Sequence, residues 1–517
     1  MPIDVTLPGG LTLALAPDLI LMAGAMVLML WSAWRPDSAS HQRSVGIGAL
    51  VVTLITTVAV IWFAASGAKA REGIVAVDGF RWAADLIFLL ATFIAIAVSI
   101  DYNTREGIDA PESHVLVLFA TSGMMILAAA RDLMIIFLGI ELMSIAVYVL
   151  AGLNRRSARS AEAAIKYFLL GAFSTAFLLY GIALVYGATG STNLATIGAT
   201  IAKYRLADSP MLLAGIALLL VGFGFKIAAV PFHMWAPDVY EGAPTPITGY
   251  MAAAVKAAAF AAFIRVWLEG FNGAYLHWHV AVWWLAAITM VLGNVVALAQ
   301  QNIKRLLAYS SIAHSGFVLV AIVVGTSAGS SAFIFYLFAY TLATMGAFAV
   351  IVALGQPGEG DLTIDSYSGL WNDRPWMAAA MTVFMLALLG FPIVGGIGFL
   401  AKWYVLQAAL QAPAPQARLA FLLVLTTAIS AGYYLQVVRV MYMKPRPANA
   451  PTPLPTGGLT RIVIGAAAIL IVALGLFPDS IAALAQRSVA QPTTRAPAGA
   501  GSGPIAVMSP GSAGAGR

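Results

Sequence analysis

Four lysines and one glutamate lie inside long apolar stretches of the sequence, namely Lys166, Lys226, Lys256, Lys402 and Glu141. A charge at the centre of a bilayer costs about 2.5–3.5 kcal/mol on insertion scales, so a charged residue there is retained where it has a use. Burial favours the neutral amine of a lysine, and a nearby carboxylate favours the ammonium form. These residues therefore predict a protein that loads and releases protons within a membrane.

We assign the carboxylate partner of Lys226 to Glu141. At an effective dielectric constant of about 20, two unit charges about 4 Å apart attract by about 4 kcal/mol. Moving one charge against a potential of about 100 mV takes about 2.3 kcal/mol. Opening and closing this ion pair would therefore be sufficient to load or release a proton. The alternative is that a buried lysine only holds helices together, and the number of such lysines argues against it.

Three further residues are weaker candidates. Lys166 lies four residues after Glu162, and an ordinary ion pair on one helix face explains this spacing equally well. His314, in AYSSIAHSGF, is either a proton relay in a hydrated path or a packed histidine. His233, in VPFHMW, lies where a channel mouth could open.

The composition shows what kind of elements must position these residues. Of 517 residues, 61% are hydrophobic and 10% are charged, whereas soluble proteins carry about 25% charged residues. The formal net charge of +6 reflects loops beside a membrane rather than a nucleic-acid-binding surface. The chain has no Cys, which excludes thiolate-bound zinc, iron–sulfur clusters and thioether-attached haem. We therefore expect no cofactor and no metal in this chain, and any electron transfer in partner chains.

Fourteen stretches are apolar enough to cross a hydrocarbon core about 30 Å thick, which takes about 20 helical residues. They lack the alternating pattern of barrel strands, so the predicted fold class is an all-α integral membrane protein. The stretches are 17–34, 45–65, 82–100, 114–130, 133–152, 161–186, 211–230, 244–267, 280–299, 303–325, 330–354, 375–411, 418–443 and 459–482.

Two of these stretches are predicted to be interrupted. The stretch 375–411 is too long for one crossing and contains FPIVGGIG, whose proline and glycines weaken a helix. The stretch 211–230 contains Gly222 and Gly224, and a second break is predicted there, just before Lys226. Paired interrupted helices are typical of transporters built from inverted repeats. Ordinary proline kinks are the alternative.

The basic residues favour termini on the periplasmic side. An even number of spans places both termini on one side, and the dense clusters 155–159 and 439–461 then lie inside. This assignment counts Arg81, Arg265 and Lys304 among the loops and helix ends. The segment 444–457 is predicted to be a Pro-rich loop, and 487–517 a disordered tail.

Residues 222–260, GFGFKIAAVPFHMWAPDVYEGAPTPITGYMAAAVKAAAF, closely resemble the signature stretch of the antiporter-like membrane subunits of respiratory complex I, the NADH–quinone oxidoreductase. The wording PDVYEGAPTPIT is similar to the N branch of that family. Lys402 argues against the M branch, which usually has Glu there. Further similar stretches are FLGIELMSIAVYVLAGL, AEAAIKYFLLGAFSTAFLLYG, NIKRLLAYSSIAHSGF and GFPIVGGIGFLAKWYV.

The resemblance implies fourteen helices, of which helices 4–8 and 9–13 form two inverted five-helix repeats with discontinuous helices 7 and 12. The implied division of the chain is 1–112, 113–270, 277–443, 444–486 and 487–517. The implied roles are the helix-5 glutamate for Glu141, its helix-7 partner for Lys226, the central lysine for Lys256, a connecting lysine for Lys166 and the terminal lysine for Lys402.

The resemblance also implies a proton-translocating subunit in a bacterial inner membrane, coupled to quinone reduction in partner chains. NADH, FMN, iron–sulfur clusters and quinone would be bound by those partners. The expected neighbours are the antiporter-like M subunit, small K/J-type subunits and lipid, with no nucleic acid. The alternative is a cation/proton antiporter component of a multisubunit Mrp-type or membrane-hydrogenase complex. A scaffold subunit with unused lysines is a third hypothesis.

Overall fold

The structure is a computed structural model that describes residues 3–35, 38–70, 73–360, 362–447 and 455–489. These residues are almost entirely helical and contain no strand beyond three isolated backbone bridges, which confirms the predicted fold class. The α-helices are α1 (Pro8–Ala14), α2 (Ala16–Trp34), α3 (Ala39–Ala65), α4 (Gly79–Glu106), α5 (Glu112–Ala129), α6 (Leu133–Ala151), α7 (Ala158–Thr189), α8 (Leu194–Tyr204), α9 (Pro210–Lys226), α10 (Trp235–Gly242), α11 (Thr245–Tyr250), α12 (Lys256–Arg265), α13 (Tyr275–Ala297), α14 (Ile303–Val324), α15 (Ser327–Leu354), α16 (Leu370–Asp373), α17 (Pro375–Leu389), α18 (Ile397–Gln411), α19 (Ala417–Met443), α20 (Gly458–Leu476) and α21 (Asp479–Val489).

Twelve helices in the described part of the chain are long and apolar enough to span a membrane. One of them, Thr245–Gly270, combines α11 and α12 with π-helical turns at Met251–Val255 and Val266–Gly270. At the predicted seventh and twelfth spans the structure instead has the shorter pairs α9 with α10 and α17 with α18. The chain is therefore a multi-pass membrane protein. The total of fourteen crossings stays a prediction, because it depends on how these pairs lie in the bilayer.

The interruption between α17 and α18 lies where the sequence predicts it. Gly390 and Gly396 both have positive φ, at 77° and 48°, a conformation that glycine adopts at little cost. A Cβ atom on Gly396 would lie 2.2 Å from the carbonyl oxygen of Ile471, so α20 packs directly against the break. Gly390 thus ends the first half-helix, and Gly396 admits the neighbouring backbone of α20.

The first interruption lies later than the sequence predicts. α9 continues through Gly222 and Gly224 and ends at Lys226, so the lysine precedes the break instead of following it. Cβ atoms on these glycines would lie 2.8 Å from Leu178 and 2.6 Å from the Phe232 ring. The two glycines therefore allow close contact of α9 with Leu178 and Phe232 and do not interrupt the helix. Lys226 lies in the last turn of α9, where the helix macrodipole favours a positive charge.

A pair of backbone hydrogen bonds recurs along the chain at an interval of 170 residues. Each pair joins the start of one helix, α6 or α14, to the segment after the next long helix. This pattern supports the two five-helix repeats, whose boundaries 113–270 and 277–443 stay a prediction. Five crossings per unit would place the two pairs on opposite membrane faces, as inverted repeats require. The bonds run from Leu133 N to Thr192 O and from Leu194 N to Arg131 O, then from Ile303 N to Leu362 O and from Ile364 N to Gln301 O.

The C-terminal region differs from its predicted boundaries. The predicted span 459–482 ends at Leu476, and a separate helix, α21, begins at Asp479 after Pro478, since a proline restricts the residue before it to extended conformations. The first residues of the predicted tail, 487–489, belong to α21. The remainder, 490–517, lies outside the described residues, as do 448–454 of the predicted Pro-rich loop.

Close contact between small residues fixes α6, which carries Glu141, against α5. A Cβ atom on Gly123 would lie 2.6 Å from the backbone nitrogen of Met143 and 2.9 Å from the carbonyl oxygen of Gly139. Lipid supplies no hydrophobic drive between helices, so packing of this kind is a main source of helix association. The position of Glu141 therefore depends on these two glycines.

Gly123→Ala should lower the stability of the protein by about 1–3 kcal/mol, because the added methyl group must push two backbones apart. The matched control is Gly465→Ala in α20, where a Cβ atom meets nothing within 4 Å. It should leave stability unchanged or raise it slightly. Thermal unfolding of the detergent-solubilised protein measures the difference. Equal stability of the two variants would contradict this packing.

Candidate functional site

Lys226 is buried between α6 and α9 and is surrounded by hydroxyl groups. Its ammonium donates to Ser144 Oγ at 2.7 Å and to Tyr148 Oη at 3.2 Å, both on α6. The ammonium also lies 5.5 Å from the centre of the Tyr148 ring, which adds a cation–π contact. Neutral oxygen atoms and an aromatic face thus replace water around this charge.

Glu141 lies one helical turn before Ser144 on α6 and accepts a hydrogen bond from Thr175 Oγ1 at 3.0 Å. Lys226 and Glu141 therefore have different partners here, and their predicted ion pair is open. Ser144 links the two positions, because it bonds the ammonium from the same face of the helix. The Glu141–Lys226 pair stays a proposal.

Lys256 lies in the middle of the helix Thr245–Gly270 and is 3% exposed. Its ammonium donates to the carbonyl oxygen of Ser311 at 2.8 Å and also contacts Ser311 Oγ, both on α14. The π-helical turn Met251–Val255 directly precedes Lys256, and such turns are frequent at functional sites. The hydrogen-bond acceptors of this charge are therefore two neutral oxygen atoms of one residue.

Lys402 lies in α18, just after the break, and is also buried. Its ammonium donates at 2.8 Å to the carbonyl oxygen of Leu389, the last residue of α17. The last carbonyls of a helix lack intrahelical donors and carry the negative end of the macrodipole. The centre of the Phe317 ring lies 4.7 Å from the same ammonium. The break thus creates the acceptor that Lys402 uses.

His314 is buried on α14, three residues after Ser311, which binds Lys256. Its Nδ1 lies 2.6 Å from Tyr336 Oη, and its Nε2 lies 3.1 Å from Tyr434 Oη. His314 and Lys402 both line a cavity of about 10 Å³, which is space for about one water molecule. Both ring nitrogens are therefore placed for proton transfer.

α14 supplies the polar side chains that lie between the first break and Lys256. Ser315 Oγ lies 2.7 Å from the carbonyl oxygen of Ile227, the residue after Lys226, and 3.1 Å from the carbonyl oxygen of Ser311. The same Ser311 carbonyl accepts from Lys256. A series of hydrogen bonds therefore runs from the carbonyl oxygen of Ile227 through Ser315 and Ser311 to Lys256, and His314 lies on the same helix with tyrosine partners of its own.

Lys166 and His233 lie apart from this series. Lys166 is predicted inside a span, but its side chain is 41% exposed and forms ion pairs with Glu162 at 2.6 Å and with Asp238 at 2.8 Å. It is therefore not a buried lysine. Asp238 also pairs with Arg305 at 2.9 Å, so the structure adds a charged network around Lys166. His233 lies in the turn between α9 and α10, with its Nδ1 buried and unpartnered.

Three basic residues that the sequence assigns to loops and helix ends are buried in ion pairs, namely Arg81, Arg265 and Lys304. Hydropathy fails here because it cannot distinguish a residue that faces a neighbouring helix from one that faces water. The i,i+4 spacing of Arg81 and Asp85 was the available signal. No group of three or more His, Cys, Asp or Glu in the described residues could hold a metal ion.

Glu359 joins Lys304 of α14 to the start of the helix that carries Lys256. Its Oε2 accepts from the Lys304 ammonium at 2.8 Å, and its Oε1 accepts from Thr245 N at 3.0 Å. Tyr102 Oη donates to the same Oε1 at 2.7 Å. Burial raises the pKa of Glu359, but the Lys304 charge and these hydrogen bonds outweigh it, so that the pKa lies below its usual value.

Comparisons with known proteins show the family of the chain and its fold. The family described as "NADH:quinone oxidoreductase/Mrp antiporter, TM" matches residues 130–430. NADH-quinone oxidoreductase subunit N of Gemmatimonas aurantiaca is 51% identical over 503 residues, which are 96% of this chain and 96% of that protein. The subunit N of Trichlorobacter lovleyi is 46% identical and covers 92% of this chain and 96% of its own length.

Solved structures share the fold. A chain of respiratory complex I from Thermus thermophilus with bound aureothin is 36% identical, with a TM-score of 0.77, over 91% of this chain and 99% of that one. A chain of the Mrp complex from Dietzia sp. DQ12-45-1b is 21% identical, with a TM-score of 0.80, over 93% and 97%. At that identity the Mrp likeness shows the fold alone.

Glu359→Gln should lower the free energy of unfolding by about 3–5 kcal/mol, because Lys304 loses its charged partner in a buried site. The pKa of Glu359 is lowered in the folded protein. The stabilisation is therefore complete above the unfolded-state pKa of about 4.3 and is lost as the pH falls through the lower folded value. Thermal unfolding in detergent should show wild type and variant converging at acid pH.

The control for this prediction is Glu112→Gln, because Glu112 is exposed at the start of α5. It should change stability little at any pH. A difference between wild type and Glu359→Gln that stays constant down to acid pH would refute the role of the ionised carboxylate.

Proposed function

The chain belongs to the NADH:quinone oxidoreductase/Mrp antiporter membrane family, and we propose that it moves protons through Lys226, Lys256 and Lys402. Its identity to subunit N proteins over nearly the whole chain makes it a proton-translocating membrane subunit of NADH–quinone oxidoreductase. The Mrp-type antiporter complex is a more distant relative. The oxidation of NADH and the reduction of quinone then take place in partner chains.

One observation carries the residue assignment. Three ammonium groups are almost completely buried, each is hydrogen-bonded to neutral oxygen atoms, and α14 contacts two of them, through Ser311 at Lys256 and Phe317 at Lys402. Neutral acceptors support an ammonium less strongly than a carboxylate does, so these amines can release a proton when their surroundings change. A structural lysine would instead be held by a permanent ion pair, as Lys304 is by Glu359.

The open pair between Glu141 and Lys226 provides the switch. When the carboxylate approaches, it stabilises the ammonium of Lys226; when it withdraws to Thr175, as here, the ammonium keeps only hydroxyl partners. An attraction of about 4 kcal/mol at an effective dielectric constant of about 20 is enough to control whether the proton stays. Quinone reduction in the partner chains would drive this alternation.

Transfer between the lysines uses the polar groups of α14. The hydroxyls of Ser315 and Ser311 mark the route between the break after Lys226 and the amine of Lys256, and water molecules between them would carry the proton, because the backbone carbonyls that they bond do not relay one. His314 can accept a proton at one ring nitrogen and donate from the other, while two tyrosine hydroxyls fix the ring orientation. The small cavity shared by His314 and Lys402 completes the route.

The remaining assignments rest on family membership, and the position of the termini rests on the distribution of basic residues. We place the chain in the bacterial inner membrane with periplasmic termini, beside the antiporter-like M subunit, small K/J-type subunits and lipid, and without nucleic acid. NADH, FMN, iron–sulfur clusters and quinone belong to other subunits, and this chain holds no cofactor or metal. Lys166 has a connecting role through its exposed ion pairs, and His233 lies at the mouth of the first break.

Lys256→Met should abolish proton pumping through this chain while the complex still assembles. Removing a charge that costs about 2.5–3.5 kcal/mol in a bilayer should not destabilise the fold. Proton pumping and NADH–quinone electron transfer are measured in reconstituted membranes. Lys203→Met, at the exposed end of α8, is the control and should pump normally. Normal pumping by Lys256→Met would leave the scaffold hypothesis standing.

Glu141→Gln should reduce pumping strongly, since it removes the charge that stabilises the Lys226 ammonium. Glu112→Gln is the matched control, because Glu112 is an exposed glutamate at the start of α5. Thr175→Val should have a smaller effect, because it removes only the hydroxyl that holds the withdrawn carboxylate. Unchanged proton transport in Glu141→Gln would eliminate the proposed switch.

A further inference from the structure

A second group of charged side chains lies around the start of α4, apart from Lys226, Lys256 and Lys402. It contains four carboxyl groups and three guanidinium groups in two sets of ion pairs, which Asp78 joins because its Oδ1 also accepts from the backbone nitrogen of Arg81 at 2.9 Å. Arg81 is shared by two carboxyl groups, and Glu269 is shared by two arginines. The pairs are Arg81 with Asp18 and Asp85, Arg265 with Asp78 and Glu269, and Arg131 with Glu269.

The donors of Arg81 are mostly used by other acceptors. Its Nη1 donates to the carbonyl oxygens of Ala14 and Ala76, both at 3.0 Å, and its Nη2 binds Asp18. Asp85 is left with Arg81 Nε at 3.6 Å, which is longer than a hydrogen bond. Asp85 is completely buried, and both of its carboxyl oxygens lack a hydrogen-bond partner.

The charge balance requires one proton in this group. Around Arg81, two carboxylates facing one guanidinium group would leave an uncompensated negative charge in a buried site, which is strongly unfavourable. When two carboxyl groups share one site, one of them retains its proton. Asp18 has the direct bond to Arg81, and Glu269 contacts two arginines. Asp85 is therefore the carboxyl group with the least support for a charge.

Asp78, which precedes α4, is held in its ionised form. Burial raises its pKa, but the adjacent Arg265 guanidinium and its hydrogen bond outweigh this and keep the pKa of Asp78 below its usual value. The charged groups that act on Asp85 are thus Arg81 on its own helix, Asp18 on α2, Arg265 on α12 and Asp78 in the preceding turn. None of them supplies Asp85 with a hydrogen bond.

We propose that Asp85 carries a proton in the resting protein and exchanges it between the lysine series and the membrane face on which α4 begins. This rests on the proposed function. Lys256 and Arg265 lie on one helix, nine residues or about 13.5 Å apart, and Arg265 pairs with Asp78, whose Oδ1 also accepts from the backbone nitrogen of Arg81. A cavity of about 90 Å³ beside Asp78, Arg265 and Glu269 gives water access to this end.

The test uses the purified complex that contains the chain with Asp85→Asn. Asparagine has nearly the shape of a protonated aspartic acid, so we expect assembly and NADH–quinone electron transfer to be retained. At neutral pH, the infrared spectrum of wild type should contain the carbonyl band of a protonated carboxylic acid, which shifts in D₂O. This band should be absent from the spectrum of the variant. The number of protons pumped per electron should fall.

The matched control is Asp18→Asn, which removes the direct partner of Arg81 and should reduce the thermal stability of the complex. Loss of a carboxylate band in Asp85→Asn, or an unchanged proton-to-electron ratio, would overturn the proposal. So would failure of Asp85→Asn to assemble while Asp85→Glu assembles, because Arg81 would then need the negative charge. The infrared result does not depend on Lys256, so it fails or succeeds separately from the proposed function.

Discussion

The burial of positive charge without a permanent counter-charge is the constraint on which the rest of the structure depends. Moving an ammonium group out of water is costly unless hydrogen-bond acceptors replace the lost hydration. Lys226 uses two hydroxyl groups, Lys256 uses one serine, and Lys402 uses the free carbonyl at the end of α17. Each solution supports the charge with neutral acceptors alone, which is what the proposed proton transfer requires.

The helix interruptions have a direct electrostatic purpose. A continuous helix has no free carbonyl in its middle, whereas a broken one presents a helix end there. Lys226 is the last residue of α9, and Lys402 reaches the last residue of α17, so both charges lie at the negative end of a half-helix. α14 lies beside both ends, because Ser315 bonds the carbonyl oxygen after Lys226 and His314 shares a small cavity with Lys402.

Permanent ion pairs serve a different purpose at the ends of the helices. Glu359 ties Lys304 to the first residue of α11, and Arg265 ties the other end of that membrane-spanning helix to the residue before α4. The helix that carries Lys256 is therefore held by charge at both ends and only by neutral groups in its middle. Rigid ends and a weakly held centre are what a proton carrier needs.

The sequence by itself determined the helical membrane fold, the burial of Lys226, Lys256 and Lys402, and the break in the stretch 375–411, because hydropathy, charge and proline are local properties. It placed the first break too early, since Gly222 and Gly224 serve contacts with Leu178 and Phe232 that no local pattern reveals. It could not show that Lys166 is exposed or that Lys304 is buried. Only the tertiary structure decided which helix each charge faces, because that depends on packing between residues far apart in the chain.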